Sequence, residues 1–232
     1  MKILALDCAT AACSTAVWID EAVTARRYES MSRGHAARLM PMVRDVMAES
    51  GLAFGEIDYI ATTTGPGGFT GLRIGLAAAR AIALAAKIPI VGYTTFEVVA
   101  RSPRSWPAPR PLLVVMDAKR ADFYFQLFRS DGAALTAPAT APPAGIAAAL
   151  RLAMVSGDPV AICGDGADAV IEELDAYEMP LRRIDGPDAP DAAVLARIAQ
   201  ADIGVDEAMF DTEMRPPEPL YLRPPDAALP RR

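Results

Sequence analysis

Apolar residues recur along this chain with two periods, and the places where one period gives way to the other divide it into elements. Residues 2–9, 13–19 and 23–29 are short apolar-rich runs separated by Thr10-Ala11-Ala12 and by Asp20-Glu21, a spacing that predicts two successive hairpins. Val17, Trp18 and Ile19 are consecutive and large, so the second strand is expected to be covered on both faces. From His35 to Ser50 the period becomes helical. Leu39, Val43, Val46 and Met47 fall on one face, Pro41 sits in an early turn where its missing donor costs least, and Gly51 stops the run. Residues 57–61 predict a strand, 72–86 a long alanine-rich helix and 88–91 another short strand. Thr94 and Glu97 have capping-box spacing and open a helix that ends near Arg101.

The second half repeats this alternation with less contrast. Pro103, Pro107, Pro109 and Pro111 change the composition abruptly and mark a lobe boundary. Beyond it, 112–116 and Phe123–Phe128 predict a hairpin, and 133–143 reads as an exposed connection. A helix over 145–154, a strand at Val160–Cys163, a helix over 167–177, a weak strand over 181–184 and a helix over 192–201 restore the pattern of a mixed sheet. The last stretch carries six prolines from Pro216 to Pro230 and reads as extended or disordered, with Leu220-Tyr221-Leu222-Arg223 as its one sticky patch. The expected plan is an N-terminal lobe over 1–102, a linker over 103–111, a C-terminal lobe over 112–206 and a tail over 207–232. No repeat is visible residue by residue, although each half opens on strand pairs and closes on helix and strand alternating.

Five glycines and a proline crowd Gly65-Pro66-Gly67-Gly68-Phe69-Thr70-Gly71-Leu72-Arg73-Ile74-Gly75. Glycine loses the most backbone freedom on ordering and proline lacks a donor, so the stretch begins as a loop between strand and helix. Two readings stand at this point: a tight turn that needs positive φ, or a helix start whose open N–H groups receive an anion. The helix behind it is apolar almost all round, broken only by Gly75, Arg73 and Arg80. One buried face does not use up such a surface, so a second cover from another chain is expected.

At 232 residues and 52% hydrophobic content, the chain can bury a substantial core. No uncharged apolar run reaches the roughly 18–20 residues of a membrane span, and Asp7 interrupts the one segment that looks like a signal core. A cytoplasmic location and no membrane partner are expected. Cys8, Cys13 and Cys163 have no CxxC spacing and read as small buried hydrophobes in a reducing compartment. A net charge of −6 argues against a free-standing nucleic-acid binder, because neutralising phosphates takes an excess of Lys and Arg. Arg101, Arg104, Arg110, Lys119 and Arg120 form a local basic cluster in sequence.

Asp7-x-x-Thr10, His35 at a helix start, the glycine element, Met116-Asp117-Ala118, Gly164-Asp165-Gly166 and Tyr221-Leu222-Arg223 occur in that order. Together they resemble the TsaB/YeaZ family, the bacterial subunit of the machinery that makes threonylcarbamoyladenosine in tRNA. The glycine element is the most specific part of the resemblance, which runs over nearly the whole chain; Gly68 departs from it, where serine is common. The resemblance implies an α/β fold of the actin-like, Hsp70-like ATPase-domain (ASKHA) class: two lobes of mixed sheet with flanking helices. It also implies a non-catalytic scaffold that pairs with a TsaD-like catalytic subunit and a TsaE-like ATPase and meets tRNA indirectly through the complex. A homodimer through the same surface stays open. In the family the helices equivalent to 35–50 and 72–86 make the contact. That points to Leu39, Met42, Val43 and Met47 on the first and to Leu72, Ile74, Leu76, Ala78 and Ala79 on the second.

The catalytic relatives hold a metal with two histidines four apart; here Leu39 stands four after His35, the only histidine in the chain. No metal site and no catalytic residue are therefore expected, and His35 reads as a helix-start residue. In actin-like folds an aspartate ending the first strand faces phosphate and magnesium. Members that use nucleotide follow it with glycine, whereas this chain has Cys8-Ala9-Thr10. Asp7, Thr10, Gly65, Gly67, Gly68, Thr70 and Gly71 thus outline a vestigial phosphate region, with no nucleotide bound intrinsically and with ATP and metal expected on the partner subunits. Asp117 and Asp165 also follow strands and read as turn-forming. The competing functions are a stand-alone nucleotide-dependent phosphotransferase of the actin-like class and a metallopeptidase.

Overall fold

The computed structural model describes residues 1–102, 110–153, 159–177, 179–205 and 211–223. Its first half runs β1 (Lys2–Asp7), β2 (Ala12–Ile19), β3 (Ala22–Ser30), α1 (His35–Ser50), β4 (Tyr59–Gly65), α2 (Phe69–Ala86), β5 (Ile90–Thr94) and α3 (Thr95–Ala100). The second half runs β6 (Leu112–Asp117), β7 (Phe123–Phe128), β8 (Ala139–Ala141), α4 (Pro143–Ala153), β9 (Val160–Cys163), α5 (Ala167–Leu174), β10 (Leu181–Arg183) and α6 (Ala192–Ile203). The strand orders are β3-β2-β1-β4-β5 and β8-β7-β6-β9-β10. In each sheet the hairpin strands pair antiparallel and the strands reached through helices pair parallel. The two halves are therefore one topology used twice, which residue identity had hidden.

Local chemistry sets the boundaries. Asp20 (φ 43°) and Glu21 (φ 75°) form the two-residue turn between β2 and β3, the backbone hand that matches strand twist. At the start of α3 the Glu97 N–H donates to the Thr94 hydroxyl at 3.1 Å while the Thr94 N–H donates to the Glu97 carboxylate at 2.7 Å, a reciprocal cap. The expected connection over 133–143 contains the short edge strand β8, paired to β7.

Each sheet is covered on two faces, and the covers cross over. In the first lobe, α1 and α2 bury Leu39, Met42, Val43, Val46, Ile82 and Ala83 against Leu4, Leu6, Val17 and Ile60. The opposite face, with Ile3, Ala5, Ala16, Trp18, Val91 and Tyr93, is covered by α6, whose Val194, Leu195, Ile198 and Ile203 pack on it. The expected C-terminal lobe over 112–206 therefore gives up its last helix to the first sheet. A helical stripe fixes which side of α6 is buried; it does not say which sheet buries it. Conversely, Phe96 and Val99 of α3 pack with Leu112, Val114, Met116 and Phe128 of the second sheet.

The expected linker lies outside the described residues except for positions 110 and 111. Of the tail, 211–223 is described, and it is tied down rather than loose. The Gly92 N–H donates to Arg215 O at 2.9 Å and the Leu220 N–H to Thr64 O at 2.7 Å, so the tail borders the ends of β4 and β5. A Cβ at Gly92 would lie 2.6 Å from Pro216 O, which explains a glycine inside a strand. Arg215 bonds Glu97 at 2.9 Å and Asp202 at 3.0 Å and lies over the Tyr93 ring at 4.1 Å, while Arg101 also grips Asp202. The described tail also holds a short 3-10 turn over Thr212–Met214, and its proline content carried no information on what the backbone lies against.

Arg215→Ala leaves Glu97 and half of Asp202 without their cation in a partly buried site, and is expected to lower stability by about 2 kcal/mol in urea unfolding.

Candidate functional site

The site assembles where the turn after β1 meets the loop before α2. A Cβ at Gly67 would sit 1.9 Å from Ala9 O, and one at Gly71 would sit 2.3 Å from Cys8 O. Real Cβ contacts do not come this close, so glycine at both positions is required by the approach of backbone to backbone. The Gly68 N–H, at the N-cap of α2, donates to Ala9 O at 2.7 Å. Gly65 adopts φ 101°, its bond to Pro66 is cis, and a Cβ there would meet Leu72 at 3.0 Å. Of the two readings of the loop, the geometry selects the tight turn. The Gly68 N–H and the space beside Gly67 and Gly71 are taken by residues 8 and 9 of the same chain.

Asp7, Thr10, Gly67, Gly68 and Gly71 are brought to this junction, whereas the Thr70 side chain is exposed on the first turn of α2. Asp7 is fully buried. Its Oδ1 accepts from the Thr63 hydroxyl at 2.6 Å and from the Ala9 N–H at 3.1 Å, and its Oδ2 has no partner. Burial pushes the Asp7 carboxyl up to about 7, against the two hydrogen bonds and with help from the Asp191 charge. Asp191 caps α6 and is held by Arg26 at 2.5 Å, and the Ala192 N–H donates to Ser14 at 2.9 Å, so the start of α6 is pinned beside Asp7. His35 is buried and its Nε2 donates to Thr10 O at 3.1 Å, which ties the start of α1 to the same turn.

These residues do not make a nucleotide cradle. Loop glycines free to wrap a phosphate and an aspartate open to magnesium are what such a group needs, and here the glycines are packed and Asp7 is enclosed. Among the described residues no three His, Cys, Asp or Glu side chains gather at metal-binding spacing. Asp117 accepts from the Lys119 N–H at 2.6 Å, the local turn bond expected of it, whereas Asp165 accepts from the Asp117 N–H at 2.9 Å and so ties the turn after β9 to the end of β6. The basic cluster is in part used up: Lys119 pairs with Asp117 at 2.7 Å and Arg101 with Asp202 at 2.9 Å, while Arg104 lies outside the described residues.

The interface residues expected on the two helices need correction. Leu39, Met42, Val43 and Met47 are buried in the first lobe's own core, as are Leu72, Leu76 and Ala79; Ile74 and Ala78 are half-buried against that core. Their periodicity was read correctly as an apolar face, but the sheet covers that face. The outward side of α2 includes Phe69 (52% exposed), Arg73, Ala77, Arg80, Ala81 and Leu84 (83% exposed). Arg73 stacks over Phe69 at 3.6 Å and donates to the Tyr221 hydroxyl at 2.9 Å, and Arg80 donates to Pro217 O at 2.5 Å, so the tail frames this face. The signal for it was present in Arg73 and Arg80, which cannot point into an apolar core, and in Gly71 and Gly75, which mark the opposite side. By length and apolarity α2 alone among the described helices reaches the size of a membrane span; its Gly71, Leu72, Gly75, Leu76 and Ala79 side is buried in the first lobe.

Two consequences are measurable. Gly71→Ala forces a methyl into Cys8 O and is expected to cost about 3 kcal/mol or more in urea unfolding. Asp7, with a carboxyl near 7 in the folded chain and an ordinary one when unfolded, binds its proton more tightly folded. Its contribution is full at acidic pH below the unfolded value and is lost as pH rises through 7. The wild-type chain is expected to carry a penalty of roughly 2–3 kcal/mol at pH 8 relative to pH 5, and Asp7→Asn to remove it, as read by chemical unfolding at both pH values.

A family model described as TsaD, tRNA N6-adenosine threonylcarbamoyltransferase, matches residues 27–167. The tRNA threonylcarbamoyladenosine biosynthesis protein TsaB of Escherichia coli (strain K12) is 37% identical over 131 residues, 56% of this chain and 56% of that protein. The matched stretch thus spans little more than half the length of that curated relative. The solved structure of YeaZ from Pseudomonas aeruginosa superposes with a TM-score of 0.76 at 28% identity, covering 95% of this chain and 99% of that one. The ROK hexokinase of Thermus thermophilus, at TM-score 0.50 and 14% identity over 86% of this chain and 98% of that one, shares the fold alone. The duplicated sheet order is that of the actin-like ATPase domains, and within that fold the chain belongs to the TsaB/YeaZ family.

Proposed function

We propose that this chain is a non-catalytic scaffold subunit in the biosynthesis of threonylcarbamoyladenosine in tRNA, acting in the cytoplasm. It holds a TsaD-like catalytic subunit in a productive arrangement, works with a TsaE-like ATPase, and reaches tRNA only through that assembly. ATP and metal belong to the partner subunits. The observation that carries this reading is the closed junction: Gly67 and Gly71 are spent on contact with Ala9 O and Cys8 O, and Asp7 is enclosed. A phosphotransferase of this fold needs that space open, and a metallopeptidase needs clustered ligands.

The surface for pairing is the outer face of α2 framed by the tail. It combines small side chains at Ala77 and Ala81, which allow close helix approach, with Phe69, Leu84 and Tyr221 as apolar anchors and Arg73 between two aromatic rings. Aromatic and arginine side chains in such a setting are the residues that dominate interface energetics. The same face is open to a second copy of the chain when the catalytic subunit is absent.

Ala81→Glu is expected to weaken pairing with the catalytic subunit by tenfold or more in titration, while its unfolding curve stays within about 0.5 kcal/mol of wild type. Ala79→Glu, at a position with 0% exposure, is expected to unfold the chain. Undiminished pairing by Ala81→Glu would discard this face. Threonylcarbamoyl transfer to tRNA by this chain alone, or turnover of ATP without a partner, would discard the scaffold role.

A further inference from the structure

We propose that Cys8 and Cys13 are a reversible dithiol–disulfide pair that covalently closes the turn on which α1 and α2 are seated. The β1–β2 register pairs Asp7 with Ser14, so the next facing positions are Cys8 and Cys13. Their Sγ atoms are 3.4 Å apart, both are free thiols, and both are buried. Facing residues of an antiparallel pair have Cβ atoms about 4.5–5.5 Å apart, and a disulfide asks for about 3.5–4.5 Å, so closing the bond takes a small local movement.

The place of this pair gives the bond a consequence. Cys8 O is the atom that Gly71 approaches, Ala9 O is the acceptor of the Gly68 N–H, and Thr10 O is the acceptor of His35. All three lie inside the ring that a Cys8–Cys13 bond would close. Oxidation fixes the turn that positions the starts of both helices; reduction returns it to noncovalent packing. Both thiols are buried, so the exchange proceeds through opening of the turn that lets a small disulfide reach them.

The co-reactant is a low-molecular-weight disulfide. One protein thiolate attacks a sulfur of that disulfide, forming a mixed disulfide and releasing one small thiolate. The second protein thiolate then attacks the protein sulfur of the mixed disulfide, forming the Cys8–Cys13 bond and releasing the second small thiolate. Two protein thiols lose two electrons in total, the small disulfide gains them, and the two protons end on the two small thiols.

The test is incubation of the full chain with oxidised glutathione to equilibrium, with and without urea below the unfolding transition, followed by acid quenching and thiol counting in denaturant. Free thiols are expected to fall from three to one, with an intact mass lower by two hydrogens, no retained glutathione, and a cross-linked peptide containing positions 8 and 13. In Cys163→Ser the count is expected to fall from two to none. Three free thiols under both conditions, or a stable glutathione adduct on Cys8 or Cys13, would overturn the proposal. The wild-type peptide map decides the matter even where a Cys8 or Cys13 variant fails to fold.

Discussion

Backbone approaches backbone at the junction of residues 8–9 with residues 67–71, and the first lobe is arranged about that contact. The missing side chains of Gly67 and Gly71 let the start of α2 press on the β1–β2 turn, and the Gly68 N–H, an orphan donor at the start of any helix, finds Ala9 O there. His35 reaches the same turn from α1. One six-residue segment, 8–13, thereby aligns two helices, and because both helices also share the core under β1, β2 and β4, their relative placement is over-determined.

That contact has a chemical consequence as well as a mechanical one. In an open actin-like site the strand-end aspartate and the glycine turns are kept for phosphate and magnesium. Here the same elements face one another, and Asp7 is left as an enclosed carboxyl with one oxygen unpartnered. A buried carboxylate with two hydrogen bonds and no cation is costly, so the group holds its proton near neutral pH. Asp7 is here part of the packing, and the outward side of α2 is left uncovered by the first lobe.

The crossing of α3 and α6 between sheets packs each lobe against a helix from the other half of the chain. Neither sheet is covered by helices of its own repeat alone, and the ion pairs of Arg215 and Arg101 with Asp202 and Glu97 join the tail, α3 and α6 at the seam. Arg223 of the tail in turn pairs with Asp122 in the second lobe. A chain with acidic net charge thus spends several of its arginines internally.

Much of this was legible in the residues themselves. Alternation and helical spacing located the strands and helices, the Thr94–Glu97 spacing placed a cap, and the glycine element named the family, because each of these depends on neighbours within a few positions. What the residues left open was decided by long-range packing. The stripe Leu39, Met42, Val43, Met47 announces an apolar face whether the cover is a sheet or a partner, and only the tertiary fold shows the sheet taking it. The same holds for α6, whose face fits either sheet, and for the proline-rich tail, whose composition does not name the β4–β5 border it lies against. Gly67, Gly71 and Gly92 carry the lesson most directly: a glycine in sequence says that a side chain is unwelcome, and only the folded chain says which atom would have met it.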